Sequence, residues 1–268
     1  RLIGKHDKCN STWTNAVFGE DVTPNHHKLA REYALLDNFY VTGDTAAAGL
    51  SWSTAALAPP FLQLLGPGAD AGRRTLDALA GGERAAQPPA GYLWSNALQR
   101  HISVRNYGML VTNIEPAPAN GAQVSALKEP SLNSVTNRAF RGPDPAYRDT
   151  ERVKVFLKDL AEAETTGNLP QLTLIRLNND RTAGTASKLP TPKAAVADND
   201  AALGQLVAAV SRSRFWPSTV IFVVETSTQG GPDHIDAHRA PAFVISPYTR
   251  NRGTEFDDVQ LHVRAALH

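Results

Sequence analysis

Residues 198–225 read DNDAALGQLVAAVSRSRFWPSTVIFVVE, an amphipathic stretch followed by a continuous apolar run. The first part repeats apolar residues at three- and four-residue spacing, namely Leu203, Leu206, Val207 and Val210. This spacing predicts a helix with one buried face that starts near Asp198. Residues 219–224 are mostly β-branched or aromatic, which predicts a fully buried strand. A helix that leads into such a strand is typical of α/β proteins.

The same alternation is found on both sides of this stretch. Asp149 and Thr150 can cap a helix whose apolar stripe is Val153, Phe156, Leu157 and Leu160. Residues 172–177 and 242–246 read as further strands. The pattern predicts a parallel or mixed sheet of βαβ units, with sites in the loops at 178–185 and 225–239 that follow two strands.

The first half of the chain gives a weaker pattern. Residues 29–33 look helical and residues 34–41 look extended, whereas 59–150 is mostly loop with short helical candidates such as 92–100. We expect the whole chain, residues 1–268, to form a single domain, since 268 residues can bury one sizeable core.

Composition narrows the classes of function. The chain has 27 basic and 26 acidic residues, a formal net charge of +1, and no block of like charge, so it offers no nucleic-acid or anionic-membrane surface. No run approaches the roughly 20 apolar residues of a transmembrane helix. Cys9 is the single cysteine, which excludes an intrachain disulfide and a CxxC motif.

Several motifs together resemble the bacterial phosphoesterase family, which groups with phospholipase C-type and acid phosphatases in the alkaline phosphatase superfamily. They are TPNHHKLAREY (23–33), LLDNFY (35–40), WSTAA (52–56), GYLW (91–94), RNYG (105–108), DND (198–200), PDHIDAHR (232–239) and PAFVISPYT (241–249). The resemblance implies an alkaline phosphatase-like α/β sandwich, with a mixed, mostly parallel sheet and helices on both faces. It also implies divalent metals held by Asp, Glu, Asn and His, and a hydroxyl nucleophile that attacks phosphorus.

The chain departs from the family pattern where the reactive groups should lie. A Ser-Ala-Asp-Gly-His-like stretch of the family is replaced at three positions by Ala46, Ala48 and Leu50. An Asn-Asp-His-Thr-like turn carries Arg181 in place of its histidine, and Arg cannot bind a metal. Thr226 and Ser227 stand where the family has an acidic pair, and hydroxyls bring no charge to offset that of an ion.

The ends of the chain differ from the family as well. Residues 1–15 do not match the family's opening strand and its metal-ligand segment. We therefore expect the domain to lack the opening strand and a C-terminal helical segment, either by replacement or because the sequence is part of a longer chain.

Four positions remain in the matched metal-site neighbourhoods: Asp180, His234, Asp236 and His238. They could converge on one zinc-like ion, with His238 as the family's ligand. The alternative is that His234 and Asp236 brace the loop and His238 packs under the last strand. Arg181 could pair with Asp180 or hold an anion in place of the metal. The adjacent His26 and His27 are expected to belong to the framework.

Two functions follow from this pattern. The first is a catalytically degenerate phosphoesterase-like protein, without a cofactor and with no assigned catalytic residue, that binds protein partners as a subunit of an assembly. The second is an active phosphoric ester hydrolase with a divalent metal at an altered site of Asp180, Asp236 and His238. The resemblance also implies export to the periplasm or the exterior.

Overall fold

In a computed structural model of the chain, the residues described are 18–43, 45–68, 84–116, 121–125, 129–228 and 238–249. Their α-helices are α1 (Pro24–Glu32), α2 (Ala46–Ala55), α3 (Pro60–Gly68), α4 (Leu93–Gln99), α5 (Asp149–Thr166) and α6 (Pro192–Arg212). Their strands are β1 (Ala34–Tyr40), β2 (Val104–Tyr107), β3 (Thr112–Asn113), β4 (Val124–Ser125), β5 (Leu172–Ile175), β6 (Ile221–Val224) and β7 (Arg239–Ile245). Within these ranges, no helix combines the length and the apolar composition needed to cross a bilayer.

The strands form small sheets of both kinds. β7 lies between β1 and β6 and pairs antiparallel with each of them. β2 pairs in parallel with β5, and β3 pairs antiparallel with β4. The α/β class is confirmed, while three of these four ladders are antiparallel where a mostly parallel sheet was expected. Antiparallel sheets can leave one face to water, and the three-stranded sheet of β1, β7 and β6 does so at β6.

Two apolar cores hold the helices against the strands. The first packs α1, α5 and α6 around Phe243 of β7, and the second packs α2, α3 and α4 around Trp94. The β2–β5 pair lies between them, because Tyr107 of β2 contacts the first core and Val104 contacts the second. Helices therefore cover both faces of this pair, as the fold class requires.

Strand β6 is half exposed, so the expectation of a fully buried strand was wrong. Phe222 is 66% exposed and Val224 is 44% exposed, whereas Ile221 and Val223 pack against the first core. Successive side chains of a strand point to opposite faces, so one face of β6 meets the core and the other faces outward. Among the described residues, β6 is an edge strand with helices on one side only.

Helix α6 begins earlier than predicted. It starts after Thr191, whose side chain accepts the amide of Ala194, rather than near Asp198. Asp198 lies inside the helix, and its Oδ2 atom accepts the backbone N–H of Asp149 at 2.6 Å. The acidic residue that looked like the cap of its own helix thus caps the start of α5, a contact that spacing along the chain does not reveal.

Asp200, also on α6, caps the start of α1. Its carboxylate accepts the backbone N–H of Asn25 at 3.0 Å and of His26 at 2.8 Å. The ring of His26 lies 2.6 Å from the same carboxylate, and the ring of His27 lies 3.1 Å from the hydroxyl of Thr23. The two histidines thus belong to the framework, as expected from the sequence.

We expect Phe243→Ala to lower the free energy of unfolding by about 3 to 5 kcal/mol, because it removes a fully buried aromatic side chain from the first core. Phe222→Ala on the neighbouring strand should change it by less than about 1 kcal/mol, because its side chain is mostly exposed. Urea denaturation of both variants measures the difference. Equal losses in the two variants would contradict the one-sided burial of β6.

The loss of folding stability at acidic pH should depend on Asp200. Burial raises the pKa of Asp200, but hydrogen bonds from His26 and Asn25 outweigh it and hold this pKa below the usual value. The unfolded chain then binds a proton near pH 3.9 while folded Asp200 stays ionised, so its contribution is present above about pH 4 and lost as the pH falls further.

Asp200→Asn should therefore lower the free energy of unfolding at pH 7 by about 1 to 3 kcal/mol and flatten its fall between about pH 4 and pH 2. Glu162→Gln, at an exposed position of α5, is the control and should keep the parental slope. An unchanged acid slope in Asp200→Asn would refute the assignment.

Candidate functional site

The predicted replacement positions meet where α2 packs against the segment after β6. A Cβ atom added to Gly49 would lie 1.5 Å from the carbonyl oxygen of Thr226, so the two backbones are in direct contact. The contact places the α2 stretch that contains Ala46 and Ala48 beside the Thr226-Ser227 pair. Two regions that are far apart in the chain thus form one wall of the candidate site.

The α2 side of this wall is apolar. Ala48 is 3% exposed and Leu50 is 6% exposed, and both belong to the second core, while Ala46 is half-buried. Thr45 precedes them as the N-cap of α2, and its buried hydroxyl accepts the amide of Ala48 at 3.2 Å. At Ala48 and Leu50, where the family resemblance implies a carboxylate and an imidazole, this chain continues its hydrophobic core.

Two carboxyl groups face each other at the carboxyl ends of β5 and β6. Asp180 lies in the turn after β5, and Glu225 follows β6 directly. Burial raises the pKa of Glu225 well above its usual range, and the negative charge and hydrogen bond of Asp180 raise it further. Two close carboxyls do not both ionise readily, so the proximity of Asp180 disfavours the charged form of Glu225.

A buried network holds the turn that carries Asp180. The carboxylate of Asp149 accepts the backbone N–H of Asn179 at 2.8 Å and of Asn178 at 3.1 Å. The fully buried Arg152 donates to Asp149 at 2.8 Å, and Asn199 donates to it at 3.0 Å. Burial raises the pKa of Asp149 even though Arg152 and these hydrogen bonds oppose the rise. The network fixes the start of the turn and hence the position of Asp180.

Arg181 lies in the same turn. Its backbone N–H donates to the carbonyl oxygen of Asn178 at 3.2 Å, and its side chain is exposed. The predicted pairing of its guanidinium with Asp180 stays a prediction. A guanidinium can neutralise nearby negative charge but cannot replace a metal ligand.

His238 lies just before β7 and is half-buried. Its carbonyl oxygen accepts the N–H of Val41 at 2.9 Å, which extends the β1–β7 ladder by one bond. Because Val224 pairs with Ala242, the start of β7 lies at the same sheet edge as Glu225. The structure thus brings His238 to the edge where Glu225 lies, and its role as a metal ligand stays a prediction.

The remaining predicted ligands, His234 and Asp236, lie outside the described residues. In the part of the chain that is described, no three His, Cys, Asp or Glu residues are arranged to hold a metal ion. Asp180 and Glu225 supply two carboxyl groups, whereas a Ca²⁺ site takes about six to eight oxygen ligands and a catalytic Zn²⁺ site about three protein ligands. A metal here would need ligands beyond this pair.

Two residues of this region, Glu225 and Thr45, have no role that the sequence alone predicts. Glu225 opens the predicted loop at 225–239 but has no assigned role there, because its acidic character alone does not reveal that Asp180 lies beside it. Thr45 lies directly before the apolar stretch of α2 and matches none of the motifs quoted above. A buried hydroxyl at this helix start lies one residue before Ala46.

Gly49→Ala should destabilise the protein by at least about 1 to 3 kcal/mol, because the new methyl group collides with the backbone of Thr226 and cannot be accommodated by a side-chain rotation. In an ordinary helix the same change stabilises the protein by about 0.5 to 1 kcal/mol, so the sign of the measured change tests whether this backbone contact exists. Thermal or urea unfolding measures it. Ser53→Ala at an exposed position of the same helix is the control, with an expected change within about 0.5 kcal/mol.

Comparisons with known proteins agree with the motifs and the fold. The family model described as the Phosphoesterase family matches residues 5–260. The fold is similar to a solved protein of the alkaline phosphatase superfamily from Vibrio parahaemolyticus, with a TM-score of 0.50 and 16% sequence identity. The match covers 87% of this chain and spans 56% of that protein's length. No curated protein matches the chain. The chain belongs to the Phosphoesterase family, with a fold of the alkaline phosphatase superfamily.

Proposed function

We propose that this chain is a catalytically inactive phosphoesterase-like protein that serves as a binding or structural subunit of an assembly, without a metal cofactor. One observation carries the proposal: Ala48 and Leu50 are buried in the second core, in the stretch where family resemblance implies a carboxylate and an imidazole. Restoring a charge at either position would bury it in an apolar environment, which is costly unless a partner or an ion compensates.

The other replaced positions support the same proposal. Arg181, Thr226 and Ser227 remove an imidazole and two carboxylates from the ligand set that the resemblance implies. Asp180 and Glu225 remain, and burial together with the nearby charge of Asp180 raises the pKa of Glu225, which disfavours a second negative charge at the site.

The purified full-length protein is expected to contain substoichiometric divalent metal and to leave generic phosphomonoesters and diesters unhydrolysed. Elemental analysis after dialysis against Mg²⁺, Mn²⁺, Ca²⁺ and Zn²⁺, together with a phosphate-release assay, measures both properties. The matched positive control is the triple variant Arg181→His, Thr226→Asp and Ser227→Asp, which adds one imidazole and two carboxylates near the Asp180–Glu225 pair and should bind more metal than the parent. Stoichiometric metal plus turnover in the parent would overturn the proposal.

The Asp180–Glu225 pair favours a second candidate, an active metal-dependent phosphoric ester hydrolase with an altered site. Two adjacent carboxylates are a usual start of a divalent-cation site, and Asp236 and His238 would complete it. Here, Asp180→Ala combined with His238→Ala should abolish hydrolysis, and Glu225→Gln should weaken metal binding. Hydrolysis that survives the double variant would end this candidate.

Three further features of the proposal rest on the family resemblance. We place the protein in the periplasm or outside the cell, with partner proteins in the same compartment, and we treat residues 1–268 as a single domain. Fractionation of expressing cells tests the first point, and recovery in the cytoplasmic fraction would contradict it. Gel filtration of native extracts tests the second, because an assembly subunit should elute far above the 28.8 kDa of the chain.

A further inference from the structure

A small pocket opens between the start of α5 and the start of α6, on the outer side of the Asp149 network. Its volume is about 210 Å³, and most of its wall is made of small apolar residues: Pro145, Ala146, Pro190, Ala194 and Ala195. Pockets that bind drug-sized ligands measure about 300 to 1,000 Å³. This pocket therefore suits one aliphatic side chain better than a whole cofactor.

One side of the pocket is charged. Arg148 lines it with a side chain that is 67% exposed, and its Nε atom donates to Asp198 Oδ1 at 3.0 Å. Asp198 is itself fixed, because it also accepts from the hydroxyl of Thr150 at 2.7 Å and from the side-chain amide of Asn179 at 3.0 Å. The guanidinium is thus held at the pocket mouth by a nearly buried carboxylate.

Arg148 keeps donors for a ligand. A guanidinium has five N–H groups, and the contact to Asp198 uses the one on Nε. Within the described residues, no hydrogen bond leaves its Nη atoms. A planar guanidinium with free Nη groups matches a carboxylate in geometry and charge. Since the Nε contact already orders the side chain, less conformational entropy is lost when a ligand binds.

We propose that this pocket binds the C-terminal residue of a partner polypeptide, with its aliphatic side chain in the apolar cavity and its α-carboxylate on Arg148. An aliphatic C-terminal residue carries both groups on one Cα atom, so they stay close together, as the pocket wall and Arg148 do. The choice of a polypeptide as the ligand rests on the proposed subunit role, whereas the pocket chemistry is independent of whether the chain hydrolyses phosphate esters.

The test uses the full chain and short peptides. Acetyl-Ala-Gly-Ala-Leu with a free carboxylate is titrated into ¹⁵N-labelled protein, and the shifts of the Asn179, Ala194 and Ala195 amides are followed. Saturable binding is expected. The same peptide with a C-terminal amide should bind roughly five- to tenfold more weakly, since it lacks the charged partner of Arg148. A peptide that ends in glycine with a free carboxylate should also bind more weakly, since its last residue leaves the cavity empty.

Two variants separate the contributions. Ala194→Phe fills the cavity from an exposed position and should remove binding, and Arg148→Gln should reduce the affinity for the acid to that for the amide. Lys154→Gln, at an exposed position of α5, the helix that begins directly after Arg148, is the charge control and should bind like the parent. Acetyl-leucine, which has the same last residue but no peptide chain, distinguishes a polypeptide ligand from a small carboxylate. An affinity equal to that of the peptide would identify a small-molecule carboxylate site and contradict the proposal.

Several outcomes would overturn the inference. They are equal affinity for the acid and the amide, undiminished binding in Ala194→Phe, and no saturable shift of the pocket amides in the parent. The comparison of acid with amide is made on the parent protein, so it stands even if a variant fails to fold. None of these outcomes depends on metal content or turnover, so failure here and failure of the proposed function are distinguishable.

Discussion

The buried ion pair of Arg152 and Asp149 is the contact on which the candidate site depends. Arg152 is fully buried, and besides Asp149 its guanidinium donates to four backbone carbonyl oxygens, those of Arg141, Gly142, Asp144 and Tyr147. Asp149 in turn holds the turn after β5. Removing one partner of such a pair leaves an uncompensated buried charge, which typically costs about 3 to 5 kcal/mol. One helical turn of α5 thus joins the loop before it to the site edge.

Helix α6 extends this arrangement to the rest of the first core. Asp198 and Asp200 lie two residues apart on α6 and accept the first amides of α5 and α1 respectively. Helix starts leave N–H groups without intrahelical partners, and a carboxylate satisfies them with a charge-assisted hydrogen bond. The family motif at residues 198–200 is therefore explained by framework geometry, because it fixes the directions of two other helices.

The local part of the fold could be predicted from the sequence. Periodicity placed α5 and α6 and the strands β5, β6 and β7, because each rests on spacing within one segment. The features that the sequence did not predict depend on contacts between distant segments. The exposure of Phe222 depends on which strands flank β6, and the role of Asp198 depends on the start of a helix some fifty residues away.

The candidate site was likewise predictable only in part. Family motifs brought Asp180, Arg181, Thr226 and Ser227 to attention by matching positions, and the structure places their segments at neighbouring strand ends. The contact of Gly49 with Thr226 and the pairing of Glu225 with Asp180 could not be read from composition or spacing, since each joins residues far apart in the chain. Glu225 was visible as an acid after a strand, but its partner was not.

The outward face of β6 has a consequence for the protein in concentrated solution. Within the described ranges, β6 is paired on one side only, and Phe222 and Val224 face water beside this edge. Such a strand is a template for pairing with another chain, and exposed apolar surface adds to the attraction. We therefore expect Phe222 and Val224 to affect solubility and self-association more than folding stability.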